Sequence, residues 1–304
     1  MKYDDGSNLD LSGVQDRRGM GGGRGLAVGG GGLGVVGVVI YLLVTVLGGS
    51  SSDSGAVTSV LGQLGSGQTA DNGEIASECR TGADANSNRD CAVVADIDSI
   101  QDYWRGELPR IGTQYTDVRT VFFNGSTSTG CGAADSGTGP FYCPADKLVY
   151  IDLSFYDQLQ TQFHAEGGLF VDAYVLAHEY GHHVQDLLGT EARVTPGETG
   201  PTSGSVRLEL QADCYAGVWA KNATTTPTSS GRPLITEITQ DDISRALDAA
   251  SRIGDDYIQT HLGSGTNDPS SYTHGTSDQR EHWFSTGYQT GDPGACDTFA
   301  ASSL

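Results

Sequence analysis

Five residues near the middle of the chain, His178-Glu179-Tyr180-Gly181-His182, form an H-E-x-x-H run inside an apolar segment with helical periodicity. Because residues four apart lie on one face of a helix, the imidazoles of His178 and His182 can both reach one ion. Glu179 follows the first imidazole and can point toward a water on that ion. Two nitrogen ligands, an open coordination position and an adjacent carboxylate indicate a metal-dependent hydrolase, most often a zinc peptidase. The alternative is a pair of surface or core histidines on a helix.

A catalytic zinc ion needs a third protein ligand, and the best candidate is Glu209, in a helix-patterned segment further along the chain. Asp213 follows four residues later and therefore faces the same way. We expect Asp213 to accept a hydrogen bond from a ligand imidazole and so to fix its tautomer. The sequence thus predicts one Zn²⁺ per chain, bound by His178, His182 and Glu209. The alternative is two solvated acids on a helix face.

Glu179 is the expected general base. It would take a proton from the zinc-bound water, whose pKa falls from about 15.7 to about 7, and pass it to the leaving amine. A tetrahedral oxyanion needs a further donor, and the candidates are His274 and Arg280. The alternative for these two is a loop histidine and an arginine that caps or pairs on a helix. His183 points about 100° away from His182 around the helix, and we interpret it as a polar or core residue.

Residues 25–52 contain no charged side chain. Their apolar centre, with flanking Gly and Ala, reaches the roughly 20 residues that a helix needs to cross a bilayer. Arg17, Arg18 and Arg24 precede this stretch, and one-sided positive charge predicts a cytoplasmic N-terminus. We therefore expect a single transmembrane helix over residues 25–48. The alternative is a cleaved signal peptide.

The regions around this stretch differ in composition. We expect residues 1–24 to be a disordered cytoplasmic tail, residues 49–72 a flexible linker and residues 73–304 the folded domain. The predicted location is the bacterial cell membrane, single-pass, with the catalytic domain outside the cytoplasm. The net charge of −21 argues against nucleic-acid binding, which needs a basic surface. The oligomeric state is left open.

The six cysteines support an exported domain, because an even number in such a domain predicts disulfides. A cysteine metal site is the alternative, and the absence of a C-x-x-C spacing disfavours it. Other pairings are open, but proximity along the chain favours three bridges: Cys79 with Cys91, Cys131 with Cys143, and Cys214 with Cys296.

Helical periodicity dominates the expected domain, and a short sheet comes early. This order predicts an α+β fold rather than alternating βαβ units. The predicted strands are 118–123 and 148–153, and the predicted helices are 97–108, 169–188, 206–221, 241–260 and 278–288.

Seven motifs together are more specific than the H-E-x-x-H run, and on them the chain closely resembles the neutral zinc metallopeptidase family of YpfJ-like bacterial proteins. The motifs are Asp16–Gly19, Gly139–Pro144, Asp152–Tyr156, Ala177–Gln185, Leu208–Trp219, Thr273–Arg280 and Gly291–Phe299. The resemblance implies a zincin-like metallopeptidase domain with a gluzincin-type site.

The layout is also similar to gluzincins of the HtpX and CAAX-protease type. In that group a Glu-x-x-x-Asp helix supplies the third ligand, and a later histidine and arginine, six residues apart, assist the oxyanion. His274 and Arg280 have the same separation. The chain departs from the group in having Gly275 rather than proline and only one predicted membrane helix. An intramembrane substrate is therefore not expected.

Three functions are compatible with these residues. The first is a membrane-anchored zinc endopeptidase that acts on a peptide or protein substrate outside the cytoplasm. The second is a structural or binding domain that holds zinc without turnover, which the general base beside the metal site disfavours. The third is a non-peptidase amide hydrolase, because zinc hydroxide attacks any suitably held carbonyl.

Overall fold

The computed structural model describes residues 1–18, 72–263 and 265–304, and helices make up most of this part of the chain. A π-helical turn at Ile258–Leu262 extends the short helix Asp255–Tyr257. The helices are α1 (Gly73–Glu78), α2 (Gly82–Ala85), α3 (Arg89–Glu107), α4 (Phe155–Thr161), α5 (Leu169–Leu188), α6 (Gly204–Asn222), α7 (Gln240–Arg252), α8 (Asp255–Tyr257) and α9 (Ser277–Thr290).

Eight strands form three sheets in the described residues. They are β1 (Lys2–Tyr3), β2 (Val14–Asp16), β3 (Arg119–Phe123), β4 (Ser126–Thr129), β5 (Gly132–Asp135), β6 (Phe141–Cys143), β7 (Leu148–Asp152) and β8 (Ile235–Glu237). The largest sheet has the order β2-β3-β7-β6, in which only β6 is antiparallel to its neighbour. The mostly helical α+β fold predicted from the sequence is confirmed.

Helix α5 lies at the centre of the domain and has the bounds predicted from its periodicity. Gly189 ends it in the left-handed conformation, with φ 70°, and its N–H bonds to carbonyl groups of the last turn. The central strands β3 and β7 also match their predicted positions, because runs of β-branched and aromatic residues suit a buried strand. The helix predicted over residues 241–260 instead stops at Arg252, because Gly254 adopts an extended backbone with ψ 146°.

Helices α6 and α9 cross with their backbones in contact at two glycines. A Cβ atom on Gly217 would overlap the carbonyl oxygen of Phe284, and one on Gly287 would overlap that of Cys214. The two helices therefore approach more closely than side chains would allow. This crossing brings Arg280 of α9 against Asp213 of α6.

Replacing Gly287 by Ala is expected to lower the free energy of unfolding by about 1–3 kcal/mol, because the new methyl group must push the helices apart. Gly106 of α3 is a matched control, since a Cβ there meets nothing within 4 Å. Gly106→Ala is expected to leave stability unchanged or to raise it by up to about 1 kcal/mol. Urea unfolding of both variants checks the prediction, and equal effects would contradict it.

The prediction of a disordered tail over residues 1–24 is wrong for residues 1–18. Strand β2 pairs in parallel with β3, and Tyr3 is fully buried. The side chain of Asn72 bonds to the backbone of β2 on the other side of the undescribed stretch. The folded unit thus includes residues 1–18 as well as 72–304. Strands β1 and β2 have only two and three residues, too few for an alternation of polar and apolar side chains to be recognised in the sequence. Their partners, β8 and β3, lie far along the chain.

No helix in the described residues is long and apolar enough to span a membrane. The predicted transmembrane helix (25–48) and all of the predicted linker except Asn72 lie outside the described residues. The three disulfides favoured by proximity are confirmed, and they suggest an extracytoplasmic domain. The bridge between Cys214 and Cys296 joins α6 to the C-terminal segment across 82 residues of sequence.

Candidate metal centre

Two helices bring together the three residues predicted to bind the metal. His178 and His182 lie one turn apart on α5, and their Nε2 atoms are 3.2 Å from each other. Glu209 of α6 faces both, with Oε2 3.2 Å from His178 Nε2 and Oε1 3.5 Å from His182 Nε2. In the described part of the chain these three side chains form a group able to hold a metal ion.

The spacing of these donor atoms fits a zinc ion. A tetrahedral ion with bonds of about 2.05 Å to nitrogen or oxygen has ligand atoms roughly 3.3 Å apart. The separations of 3.2, 3.2 and 3.5 Å are close to that value, with Glu209 facing His178 through Oε2 and His182 through Oε1. Two imidazoles and one carboxylate are also ligand types that zinc takes at catalytic sites, so the residues present fit the ion.

Hydrogen bonds orient both imidazoles so that their Nε2 atoms face Glu209. His178 Nδ1 lies 2.8 Å from Asp213 Oδ1, and His182 Nδ1 lies 2.8 Å from Gln185 Oε1. Because both partners are acceptors, the Nδ1 atoms carry the protons and the Nε2 lone pairs are free for a metal. Asp213 thus has the position predicted for it. Gln185 was not predicted, although its i, i+3 spacing from His182 was a readable signal.

Glu179 lies against the edge strand β6. Its Oε2 accepts a hydrogen bond of 3.0 Å from the backbone N–H of Tyr142. The side chain is buried, and this burial raises the pKa of Glu179 above its ordinary value. A buried carboxylate held by one backbone amide next to the metal ligands is suited to accept a proton.

Arg280 binds Asp213 with two nitrogen atoms of its guanidinium. Nε donates to Oδ2 at 2.9 Å and Nη2 donates to Oδ1 at 3.0 Å. Burial acts to raise the pKa of Asp213, but Arg280 and His178 together hold it below its usual range. The structure thus brings Arg280 to the partner of a ligand imidazole. The oxyanion role predicted for Arg280 stays a prediction.

His274 lines the same cavity as the three metal-binding candidates. Its loop is organised by Asp255, a buried residue that the sequence did not reveal. Asp255 Oδ2 accepts hydrogen bonds from the backbone N–H groups of Thr273, His274 and Gly275, at 2.8, 2.7 and 2.9 Å. Asp255 Oδ1 lies 3.3 Å from His274 Nδ1. No local pattern marks Asp255, because its partners are about twenty residues away in the sequence.

Replacing Asp255 by Asn is expected to lower the free energy of unfolding by about 1.5–3 kcal/mol, the range for hydrogen bonds to a charged group. Burial acts to raise the pKa of Asp255, but His274 and the backbone amides hold it below its usual value. The destabilisation should therefore be complete above about pH 4 and shrink as pH falls further and the carboxylate protonates.

Urea unfolding of the Asp255 variant across pH, beside that of an Asp268→Asn control, tests this prediction. Asp268 is an exposed loop residue that caps a short helical turn. Its replacement is expected to change stability by less than the Asp255 substitution. A pH-independent difference between the Asp255 variant and the parent would show that the carboxylate charge is not responsible.

His183 points away from the metal-binding candidates, as predicted from its position on the helix. Its Nε2 bonds to the carbonyl oxygen of Thr116 at 2.7 Å, and its Nδ1 lies 3.2 Å from the hydroxyl of Tyr142. Burial lowers the pKa of His183. His183 is therefore a buried polar residue that joins α5 to strand β6 and to the loop that contains Thr116.

The centre opens into a cavity of about 220 Å³. His178, Glu179, His182 and Glu209 lie in its wall, so a molecule in the cavity would contact them. A buried His-His-Glu group with a carboxylate beside it, open to a cavity, defines the class of a zinc-binding hydrolase site.

The chain belongs to the family described as "Putative neutral zinc metallopeptidase", whose model matches residues 3–299. This match confirms the resemblance seen in the sequence motifs. Together, the family and the His-His-Glu group suggest zinc as the metal.

Relatives occur in distant bacteria. The chain is 50% identical over 229 residues to the uncharacterized protein Rv2575 of Mycobacterium tuberculosis strain H37Rv. The aligned residues cover 75% of this chain and 76% of that protein. It is 45% identical over 209 residues to the uncharacterized protein YpfJ of Escherichia coli strain K12. The aligned residues cover 67% of this chain and 69% of that protein. No solved structure matches the chain.

Proposed function

We propose that this chain is a zinc-dependent endopeptidase that hydrolyses peptide bonds of a peptide or protein substrate outside the cytoplasm. The observation that carries the proposal is the arrangement of His178, His182 and Glu209 around one point, with Glu179 beside them in the wall of an open cavity. A site that only stabilised the fold would need neither the cavity nor the additional carboxylate.

His178, His182 and Glu209 would hold the zinc ion. When bound, zinc polarises a substrate carbonyl and lowers the pKa of a water molecule. Glu179 accepts the proton of the attacking water and passes it to the leaving nitrogen. Its raised pKa favours this exchange, because a general base works best when its pKa is near the working pH.

His274 is the proposed donor to the developing oxyanion, since it lies in the cavity wall and Asp255 holds its loop in place. Arg280 acts mainly through Asp213, which it binds with two hydrogen bonds. In this proposal Arg280 keeps Asp213 charged and oriented, and Asp213 in turn orients His178.

The location is part of the same proposal. Three disulfides form and persist in an oxidising environment, which supports a domain outside the cytoplasm. The apolar residues 25–48 are the proposed attachment to the cell membrane. They lie outside the described residues, and their role rests on composition alone.

The test uses the full chain, because residues 1–18 belong to the folded unit. We expect one zinc per chain and cleavage of unfolded casein that is lost on chelation and restored by added zinc. His182→Ala should lose the zinc and the activity, whereas His261→Ala should keep both, because His261 is exposed and stacks on Tyr257. Zinc binding without cleavage of casein or of a peptide library would favour a binding domain. Absence of zinc would refute the ligand assignment.

A further inference from the structure

Several side chains in the cavity wall are apolar. They include Phe155, Phe163, Val175, Ile253 and Ile258, which come from different parts of the chain. We call these five residues the apolar wall. Phe155, Phe163 and Val175 each keep only 5–8% of their surface exposed. Val175 lies three residues before His178 on the same helix face, so the apolar wall begins beside a metal-binding candidate.

Two polar side chains of the cavity wall, Tyr174 and Arg280, are already bonded to each other and to Asp213. Arg280 is bonded to Asp213 through Nε and Nη2 of its guanidinium. The hydroxyl of Tyr174 donates to Asp213 at 2.7 Å and accepts from Arg280 at 3.3 Å. A charged side chain placed against the apolar wall would lose its water and find no partner among these five residues, which costs several kcal/mol. An apolar side chain has no such penalty and gains about 25 cal/mol for each Å² that it buries.

The size of the cavity suits a large side chain. An apolar cavity of about 150 Å³ in another protein accommodates benzene, and the whole cavity here, including the part next to the metal-binding candidates, has a volume of about 220 Å³. We propose that the apolar wall receives a phenylalanine or leucine side chain of the substrate, next to the bond that is cut. This proposal rests on the proposed peptidase function.

The first experiment compares peptides that differ at one residue on either side of the scissile bond, with Phe, Leu, Ala, Glu or Lys at that position. For the zinc-loaded full chain we expect kcat/KM to be 10–100-fold higher for Phe and Leu than for Ala at one position, the discrimination that an apolar pocket gives. Val175→Phe, which narrows the cavity, should lower the Phe-to-Ala ratio at least tenfold with zinc content unchanged. Leu262→Phe is the matched control, because Leu262 is 41% exposed and does not line the cavity.

A second measurement separates the pocket from the catalytic function. The zinc-loaded Glu179→Gln variant is titrated with the same peptides, and Phe peptides should bind at least tenfold more tightly than Ala peptides. If no peptide is cut but this preference is present and disappears with Val175→Phe, the pocket stands and the peptidase function fails. If peptides are cut and bound with equal efficiency whatever the residue, the apolar specificity is wrong and the peptidase function stands.

An independent observation concerns the two ends of the undescribed stretch 19–71. Asp16 and Asn72 lie on either side of it and are in contact, since the backbone N–H of Asp16 donates to Asn72 Oδ1 at 2.8 Å. The Asn72 side chain also donates to the carbonyl oxygen of Val14 at 2.9 Å. Residues 1–18 are further joined to the domain by Tyr3, whose hydroxyl donates to the buried Asp96 at 2.8 Å.

We infer that residues 1–18 and 72–304 lie in the same compartment. They share one sheet through β2 and β3, so a membrane cannot separate them while the domain is folded. A single crossing between Arg18 and Asn72 would place them on opposite sides. The topology with a cytoplasmic N-terminus and an outside domain is therefore incompatible with this fold.

Labelling of intact cells with a membrane-impermeant maleimide tests the inference. Asn8→Cys and Ser303→Cys place single thiols at exposed positions of the two segments, and the described residues contain no other free cysteine. Both variants should be labelled, or both protected, in full-length protein whose melting temperature matches the parent. Labelling of one and protection of the other would overturn the inference. N-terminal and C-terminal epitope tags on the parent chain, with external protease, provide the same comparison without a new thiol.

Discussion

Replacing Glu179 by Gln is expected to lower kcat by about 10²–10⁴-fold, the contribution typical of a positioned general base. Gln has nearly the same shape but cannot accept a proton at neutral pH. The three metal-binding candidates are untouched, so the variant should bind the same amount of zinc as the parent. The measurement is zinc content together with single-substrate kinetics on a peptide that the parent cleaves.

The matched control is Glu237→Gln, because Glu237 is exposed at the end of β8, a strand that pairs only with β1. This substitution should leave both zinc content and kcat unchanged. If the Glu179 variant kept more than a tenth of the parent activity, Glu179 would not be the base. If it lost zinc as well, the loss of activity would reflect the metal site rather than proton transfer.

Replacing Asp213 by Ala is expected to lower the free energy of unfolding by about 3–5 kcal/mol, the cost of removing one partner from a buried ion pair. Asp213 is fully buried and accepts hydrogen bonds from Arg280, Tyr174 and His178. Without it the guanidinium of Arg280 stays buried and loses the carboxylate that it is bonded to. The affinity for zinc should also fall about 10–100-fold, because His178 loses the group that orients it.

Asp241→Ala is the matched control for Asp213. Asp241 pairs with Arg245 four residues away on the exposed side of α7, with the two side chains 71% and 39% exposed. Such surface pairs contribute at most about 1 kcal/mol. Unfolding in urea should separate the two variants clearly, and similar losses for both would refute the buried pair as a source of stability.

A double substitution, Asp213→Leu with Arg280→Met, gives a further test of the same pair. Both charges are then absent, so the unpaired guanidinium that destabilises the single variant is removed. We expect the double variant to be more stable than Asp213→Ala, although its zinc affinity should remain weak. A double variant that is less stable than the single one would indicate that packing of these side chains, rather than charge, dominates.

Much of the site was predictable because its residues follow helical spacing. His178 and His182 are four apart on α5, and Glu209 and Asp213 are four apart on α6, so each pair faces one way. The pattern also predicted the bounds of α5 and the direction of His183. Proximity along the chain predicted the bridges Cys79–Cys91 and Cys131–Cys143, each of which closes a short loop. Cys214 and Cys296 were then the two cysteines left to pair.

Other features were not predictable because they depend on contacts between distant segments. Asp255 has no motif around it, and only the fold brings it to the amides of the loop that carries His274. The hydrogen bond from the Tyr142 amide to Glu179 depends on the placement of the edge strand β6 beside α5. The side chain of Arg280 is buried against Asp213 because α6 and α9 approach closely at two glycines.

Local sequence alone was enough to predict the three metal-binding candidates that the structure brings together and a mostly helical α+β domain, since these follow from periodicity and donor chemistry. Packing decided the placement of residues 1–18, where β2 pairs with a strand more than a hundred residues away, and the contacts of His274 with Asp255 and of Arg280 with Asp213. The physical reason is that hydrogen bonds and ion pairs between distant segments form only once the chain has folded, and such contacts leave no regular spacing in the sequence.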